Sequence, residues 1–341
     1  MSAGALQKAE AHYRDGLNAI KTSLFKWKPD HQSAAMAFER AATSFKVAKK
    51  MDKAIDAYRK SAASHAATGI HYSAGKNLET AASLAIKSSE IDLAVTLYDD
   101  AALQFGLDGN LNARINSFSR KADTLSLLGK ASDAIECYME AFELAMSEEL
   151  TKRLIMDSTV LPLLAIYMAE KKYTKAAEFM KKVLQLHQDL KQPDNVCKDI
   201  SSIILLYLAG GDYLAADKYF NDNCSLHGYM STPDAMTVQQ ILDAYESRDE
   251  ELIRNLAEND QGITFLMAPV SRTVSKLPIT PLDQMDIVPK VVETLSLSAD
   301  EDIKEEEHEE EKVVEEPSVD EIEEYQEPEV EVVDDSDSDV C

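Results

Sequence analysis

Alanine and aromatic residues recur along much of the chain with a fixed period. An alanine returns every 40 residues, and a tyrosine follows each alanine by four positions: Ala54 and Tyr58, Ala94 and Tyr98, Ala134 and Tyr138. Residues four apart lie on the same face of an α-helix, so each pair marks the face that one helix buries. The register continues, with small slips, at Ala176 with Met180 and at Ala215 with Tyr219.

A second series lies between the members of the first, about 20 residues away. It pairs a large apolar residue with an alanine four positions later: Phe38 and Ala42, Leu78 and Ala82, Phe118 and Ala122. Each unit therefore contains two helices, an A helix marked by the second series and a B helix marked by the first, separated by turn sequences such as "LDGN" and "LLGK". The pattern predicts an all-α fold, a right-handed solenoid of tetratricopeptide-like helical hairpins with a period of about 40 instead of the familiar 34 residues.

The repeats predict that this solenoid occupies residues 1–230. The sequence "STPDAMTVQQ" then places a Ser or Thr cap before a proline, as at the start of a helix, and predicts a C-terminal helical cap over 231–265. Four prolines interrupt residues 266–299, where one short helix beginning at Pro269 is compatible with the pattern. Its apolar residues are Val270, Val274 and Leu277.

Charge is concentrated at the end of the sequence. Residues 300–341 contain 22 Asp and Glu residues against Lys304 and Lys312, a net charge of −20, and their composition predicts a disordered acidic tail. The remaining residues carry a net charge of only −6. The folded part is therefore mildly acidic, and the composition argues against nucleic acid as a partner.

No pattern of catalytic or metal-ligating residues stands out. The four cysteines form no CxxC pair and predict reduced thiols, and the chain lacks a GxxxxGK phosphate loop and an HExxH pair. Histidines such as His65 and His71 fall on amphipathic helices, where structural roles are the commoner ones. We therefore expect no enzymatic activity, no metal and no cofactor, and no window reaches the ~18 apolar residues of a membrane-spanning helix.

The stretch "LFKWKPD" places two aromatic residues and two lysines next to a proline. An apolar stripe on the first helix runs from Leu6 to Leu24, and the proline is expected to end that helix by about Lys28. Phe25 and Trp27 at its end fit two roles. They could cap the exposed end of the solenoid, or they could enter a membrane interface while Lys26 and Lys28 meet anionic headgroups.

The segment from "IKTSLFKWKPD" through "MDKAIDAYRKSAASHA" resembles the gamma branch of the soluble NSF attachment protein family. The resemblance extends to about residue 265 and implies an adaptor that acts in vesicle-mediated transport, such as ER–Golgi transport, and in membrane fusion. The implied partners are a SNARE complex, a syntaxin-type four-helix bundle, and the hexameric NSF ATPase, which the adaptor recruits and stimulates for SNARE disassembly. The implied location is the cytoplasm, peripheral on the cytosolic face of membranes.

The resemblance also implies roles for particular residues. It favours membrane attachment by Leu24, Phe25, Lys26, Trp27 and Lys28 over the capping role. It implies SNARE binding by Arg114, Lys152 and Arg153, at the starts of the third and fourth A helices. It implies ATPase stimulation by the C-terminal residues Asp335, Asp337, Asp339 and Val340, the valine standing where the family usually has leucine.

Two other functions remain open from the sequence. A tetratricopeptide-like scaffold or co-chaperone would grip a peptide tail in the concave groove of the solenoid, although this role leaves "FKWKPD" unexplained. An acidic-tail chaperone for basic proteins, or a low-affinity calcium buffer, would instead use residues 300–341.

Overall fold

The computed structural model describes residues 3–23, 27–259 and 261–274. Its first seven helices are α1 (Ala3–Ile20), α2 (His31–Val47), α3 (Met51–Ala67), α4 (His71–Lys87), α5 (Ile91–Leu107), α6 (Leu111–Leu127) and α7 (Ala131–Ala145). Then follow α8 (Glu149–Lys152), a π-helical turn (Met156–Val160), α9 (Leu161–Ala169), α10 (Tyr173–Asp189), α11 (Pro193–Ala209) and α12 (Tyr213–Asn223). The last described elements are a 3₁₀ helix (Leu226–Ser231), α13 (Pro233–Ser247), α14 (Glu250–Asn259), α15 (Gln261–Thr264) and α16 (Ala268–Val274).

Consecutive helices pack against each other as hairpins, and the predicted all-α solenoid is confirmed in the described part of the chain. The alanines that recur every 40 residues in the first three units are fully buried, since an alanine lets two helices approach closely. They are Ala42, Ala54, Ala82, Ala94, Ala122 and Ala134. The three tyrosines of these units are also buried, and each hydroxyl contacts a polar side chain 15 residues earlier on the preceding helix. These contacts are Thr43 with Tyr58 at 3.4 Å, Ser83 with Tyr98 at 3.5 Å, and Asp123 with Tyr138.

The fifth unit corrects the predicted register. Ala216 is fully buried and Phe220 is 8% exposed, whereas Ala215 and Tyr219 are only half-buried. Ala176 and Ala216 are 40 residues apart, so the period is kept where a slip was predicted. The prediction of Ala215 with Tyr219 as the buried pair was therefore wrong by one residue, and Phe220 instead packs edge-on against Tyr229.

The fourth A helix is not continuous, although a single helix was predicted there. It is divided into α8, the π-helical turn and α9. Pro162 lies in the first turn of α9. Proline has no N–H to donate, so the hydrogen-bond ladder loosens just before it, which accounts for the π-helical turn at that place.

The first helix ends earlier than the sequence predicted. It stops at Ile20, not near Lys28, and a loop of residues 21–30 leads to α2. The Asp30 N–H donates to the carbonyl of Ala19 at 2.9 Å and closes this loop. The Asp30 carboxylate then accepts a hydrogen bond from Ser33 N at 2.9 Å and caps α2.

The helices that follow residue 231 pack back against earlier helices of the solenoid. The two helices predicted after residue 231 are present as α13 and α14, and α16 packs against α9 and α11. Val270 and Val274, two of the apolar residues predicted for a short helix, are buried in α16. Leu277 and the predicted tail of residues 300–341 lie outside the described residues, and the segment boundaries given above stay predictions.

Gly75 provides a test of the close packing within the solenoid. A Cβ atom added there would lie 2.7 Å from the fully buried ring of Phe105, so Gly75→Ala is expected to lower the free energy of unfolding by about 1–3 kcal/mol. Gly106→Ala is the control, because its Cβ would meet only Arg114 at an ordinary 3.6 Å. Urea unfolding of both variants measures the difference, and equal losses would contradict the packing described here.

Candidate functional site

The alternating direction of the helices gives the stack two edges. We name the Trp27 edge after the loop that follows α1, and it also holds the turns after α3, α5, α7 and α10. The Lys50 edge holds the turns after α2, α4, α6, α9 and α11. Contacts join neighbouring turns on each edge: Tyr72 N donates to Asp108 Oδ1 at 3.2 Å on the first, and Lys130 pairs with Asp92 at 3.5 Å on the second.

The loop between α1 and α2 presents its tryptophan to solvent. The Trp27 side chain is 86% exposed, and Lys28 beside it is also exposed. With this exposure, most of the indole surface faces solvent. Leu24, Phe25 and Lys26, the other residues predicted for membrane attachment, lie outside the described residues.

Arg114 lies near the start of α6, beside the turn on the Trp27 edge. Its guanidinium carbon is 5.6 Å from the centre of the Phe118 ring, an arrangement that holds the cation over an aromatic face. Its side chain also lies beside Gly106 of α5. No carboxylate of the described residues lies within ion-pair distance of Arg114, so its charge is oriented without being neutralised.

Unlike Arg114, Lys152 and Arg153 each form an ion pair with an acidic side chain. Lys152 Nζ lies 2.5 Å from Asp189 Oδ2, and this hydrogen bond holds the pKa of Asp189 below its usual value. Arg153 pairs with Glu149, one turn earlier, at 2.8 Å. The structure therefore brings all three predicted basic residues to the Trp27 edge, but two of them already have acidic partners.

A cavity of about 630 Å³ opens between α1 and α3 and was not predicted. Tyr13 on its wall donates to Asp56 at 2.5 Å, and Lys60 donates to the same carboxylate at 2.8 Å. Partial burial opposes ionisation of Asp56, but these two hydrogen bonds and the positive charges of Lys60 and Arg59 together outweigh it and lower the pKa of Asp56. The hydrogen bond between Tyr13 and Asp56 links α1 to α3 across 43 residues of sequence, so no local sequence motif predicts it.

The described residues contain no cluster of three or more His, Cys, Asp or Glu side chains that could hold a metal ion. None of the helices in the described ranges is long and apolar enough to cross a membrane. Two cysteines, Cys137 and Cys197, are buried free thiols, and burial raises the pKa of each.

The family model for the soluble NSF attachment protein, SNAP, matches residues 4–262. The chain belongs to this family. A gamma-soluble NSF attachment protein from Dictyostelium discoideum is 23% identical over 273 residues, which cover 80% of this chain and 83% of that protein. A protein of the same name from Arabidopsis thaliana is 26% identical over 258 residues, 76% of this chain and 87% of the relative.

The SNAP family match includes the helical repeats and the loop with Trp27, as well as Arg114, Lys152 and Arg153. It ends before α16. The predicted ATPase-stimulating residues Asp335, Asp337, Asp339 and Val340 lie beyond the match and outside the described residues. An NSF-attachment adaptor is the general role of the SNAP family.

Proposed function

We propose that this chain binds SNARE complexes and recruits and stimulates the NSF ATPase for SNARE disassembly in vesicle transport. The observation that carries the proposal is the SNAP family match over residues 4–262, which coincides with the stack of helical hairpins. Stacked hairpins present an extended surface, and such a surface suits a rod-like partner such as a four-helix bundle.

Within this role, the loop of residues 21–30 makes a peripheral contact with the cytosolic face of the membrane. The 86% exposure of Trp27 supports this part of the proposal, because most of the indole surface faces solvent, where a membrane interface could meet it. Each buried aromatic contributes roughly 1.5–3 kcal/mol, and each lysine near an anionic surface adds about 1 kcal/mol. The contact is reversible at that strength, and it is reinforced once a membrane-held partner raises the local concentration.

Arg114 is the principal basic contact to the acidic SNARE surface. Two observations support this role of Arg114. Its guanidinium is held over the Phe118 ring, and it has no carboxylate partner among the described residues. Lys152 and Arg153 contribute after exchanging Asp189 and Glu149 for acidic groups of the bundle. The C-terminal residues Asp335, Asp337, Asp339 and Val340 act on the ATPase, where charge steers the encounter and the aliphatic side chain is buried.

Arg114→Glu is expected to weaken SNARE binding by at least about tenfold, or 1.4 kcal/mol, because the reversed charge meets an acidic surface. Arg120→Glu is the matched control, since Arg120 is an exposed arginine on another face of the same helix. The measurement is pull-down of both variants with a detergent-solubilised SNARE bundle at two salt concentrations. Equal affinity of Arg114→Glu and wild type would remove Arg114 from the interface, and failure of the wild type to bind would contradict the proposed function.

A further inference from the structure

The cavity between α1 and α3 has the volume and the aromatic floor of a site for a small ligand. Its volume of about 630 Å³ lies within the roughly 300–1,000 Å³ that is usual for ligand pockets. The rings of Tyr13 and Phe45 line it and pack edge to face, with their centres 6.1 Å apart. Lys53 lies 5.5 Å from the centre of the Phe45 ring and pairs with Glu10 at 3.1 Å. The cavity therefore offers aromatic surface beside an ion pair that is already complete.

Hydrogen bonds to Asp56 hold the floor in one arrangement. The Asp56 carboxylate accepts from the Tyr13 hydroxyl at 2.5 Å and from Lys60 Nζ at 2.8 Å. The hydrogen bond to Asp56 raises the pKa of Lys60, and partial burial together with the same carboxylate raises the pKa of Tyr13. Tyr13 therefore keeps its proton and its orientation at neutral pH. A floor fixed in advance lowers the entropy cost of binding a ligand.

Two further charges on the walls of the cavity lack a partner of opposite sign. Asp52 lies in the first turn of α3, and no basic side chain of the described residues is within ion-pair distance of it. Arg14 on α1 donates from Nε to the carbonyl oxygen of Glu10 at 3.4 Å, but no carboxylate in the described ranges pairs with it. Both side chains are exposed. The cavity thus presents an anion on the α3 wall and a cation on the α1 wall.

The register of the two helices gives the spacing of these two charges. Two hydrogen bonds between α1 and α3 both join residues 43 positions apart, so the helices run side by side in the same direction. In this register Asp52 lies level with Ala9, and Arg14 lies five residues farther along, or ~7.5 Å at 1.5 Å per residue. The first and last Cα atoms of an extended tripeptide are about 7 Å apart. A chain of that length matches the spacing, whereas the two charges of a single amino acid are too close together.

We propose that the cavity between α1 and α3 binds a short zwitterionic peptide, about three residues long, with an apolar central side chain. Its amino end pairs with Asp52 and its carboxylate end pairs with Arg14. The central side chain covers the aromatic floor of Tyr13 and Phe45. The site uses none of the residues of the proposed SNARE and membrane contacts. The inference goes beyond the proposed adaptor role and does not depend on it.

Binding of the tripeptide Gly-Phe-Gly to the full chain tests the proposal, with ligand-observed NMR titration as the measurement of Kd. The peptide with an acetylated amino end and an amidated carboxyl end is expected to bind at least about tenfold more weakly, because it loses both charge-assisted contacts. Gly-Gly-Gly is expected to lose at least about tenfold as well, since it has no ring to cover the floor. Absence of Gly-Phe-Gly binding, or equal binding of the free and the blocked peptide, would overturn the proposal.

Two variants assign the two ends of the peptide. Arg14→Gln is expected to weaken Gly-Phe-Gly binding by at least about tenfold and to abolish the effect of amidating the carboxyl end, while acetylation still weakens binding. Asp52→Asn is expected to do the reverse. This exchange of sensitivities is a readout that a general loss of structure does not produce. Losses that do not depend on which end is blocked would overturn the proposal.

The matched control combines Asp133→Asn with Arg120→Gln. Asp133 lies in the first turn of α7 as Asp52 lies in the first turn of α3, so both replacements remove the same favourable charge from a helix N-terminus. Arg120 is an exposed arginine on α6. The control is expected to bind Gly-Phe-Gly like the wild type. A loss in the control equal to that in Asp52→Asn or Arg14→Gln would contradict a role for the cavity.

Discussion

Replacing Phe25 and Trp27 by serine is expected to weaken binding to anionic vesicles by a factor of at least about 100. Two aromatic side chains buried in the interface contribute roughly 1.5–3 kcal/mol each, and every 1.4 kcal/mol is tenfold in affinity. Vesicle sedimentation measures the change. Disassembly of membrane-embedded SNARE complexes is expected to slow in parallel, whereas disassembly of soluble complexes keeps its rate.

The matched control uses two exposed apolar residues on the other edge. Val47 and Leu127 are 70% and 69% exposed, so Val47→Ser with Leu127→Ser removes exposed apolar surface far from the loop. This control is expected to bind vesicles like the wild type. If the loop variant instead melts at a lower temperature and loses activity on soluble and embedded complexes alike, the aromatic residues cap the solenoid and the membrane role is wrong.

Removal of Asp199 is expected to destabilise the fold by about 3–5 kcal/mol. His187 Nδ1 lies 2.6 Å from Asp199 Oδ2, and both side chains are almost completely buried between α10 and α11. Burial raises the pKa of Asp199, while the hydrogen bond and the charge of His187 oppose that rise. Asp199→Ala leaves the buried imidazole without its partner, which is the main source of the expected loss.

Urea unfolding of Asp199→Ala and of Glu143→Ala compares this buried pair with an exposed one. Glu143 pairs with Lys182 at the surface, so its loss is expected to cost no more than about 1 kcal/mol. Replacing both His187 and Asp199 by leucine is expected to recover much of the stability, because neither position then holds a buried polar group without its partner. A similar small cost for Asp199→Ala and Glu143→Ala would contradict the structural role of the pair.

The sequence predicts the repeat well because the signal is local and occurs several times. The spacing of Ala54, Ala94 and Ala134 depends on helix geometry and close crossing, and both are visible in residue size alone. The end of α1 was placed wrongly because it depends on the hydrogen bond between Asp30 and Ala19. That bond forms across the loop, and the spacing of apolar residues along the first helix gives no sign of it.

Electrostatic details of the candidate site depend on contacts between distant residues. The pairing of Lys152 with Asp189 joins residues 37 positions apart, so the sequence offers no sign that this ammonium is neutralised. The contact of Arg114 with the Phe118 ring is local instead, because residues four apart lie on one helix face, and the sequence could have indicated it. The break in the fourth A helix also had a visible signal in Pro162, which the repeat pattern outweighed.

The central claim is that this chain couples SNARE complexes to the NSF ATPase. The most direct measurement is ATP-driven disassembly of a detergent-solubilised, syntaxin-type SNARE bundle by NSF, with and without the full chain. We expect the bundle to stay intact with NSF alone and to be disassembled when the chain is added, in proportion to the amount bound. Bundles that remain intact in the presence of the bound chain, NSF and ATP would contradict it.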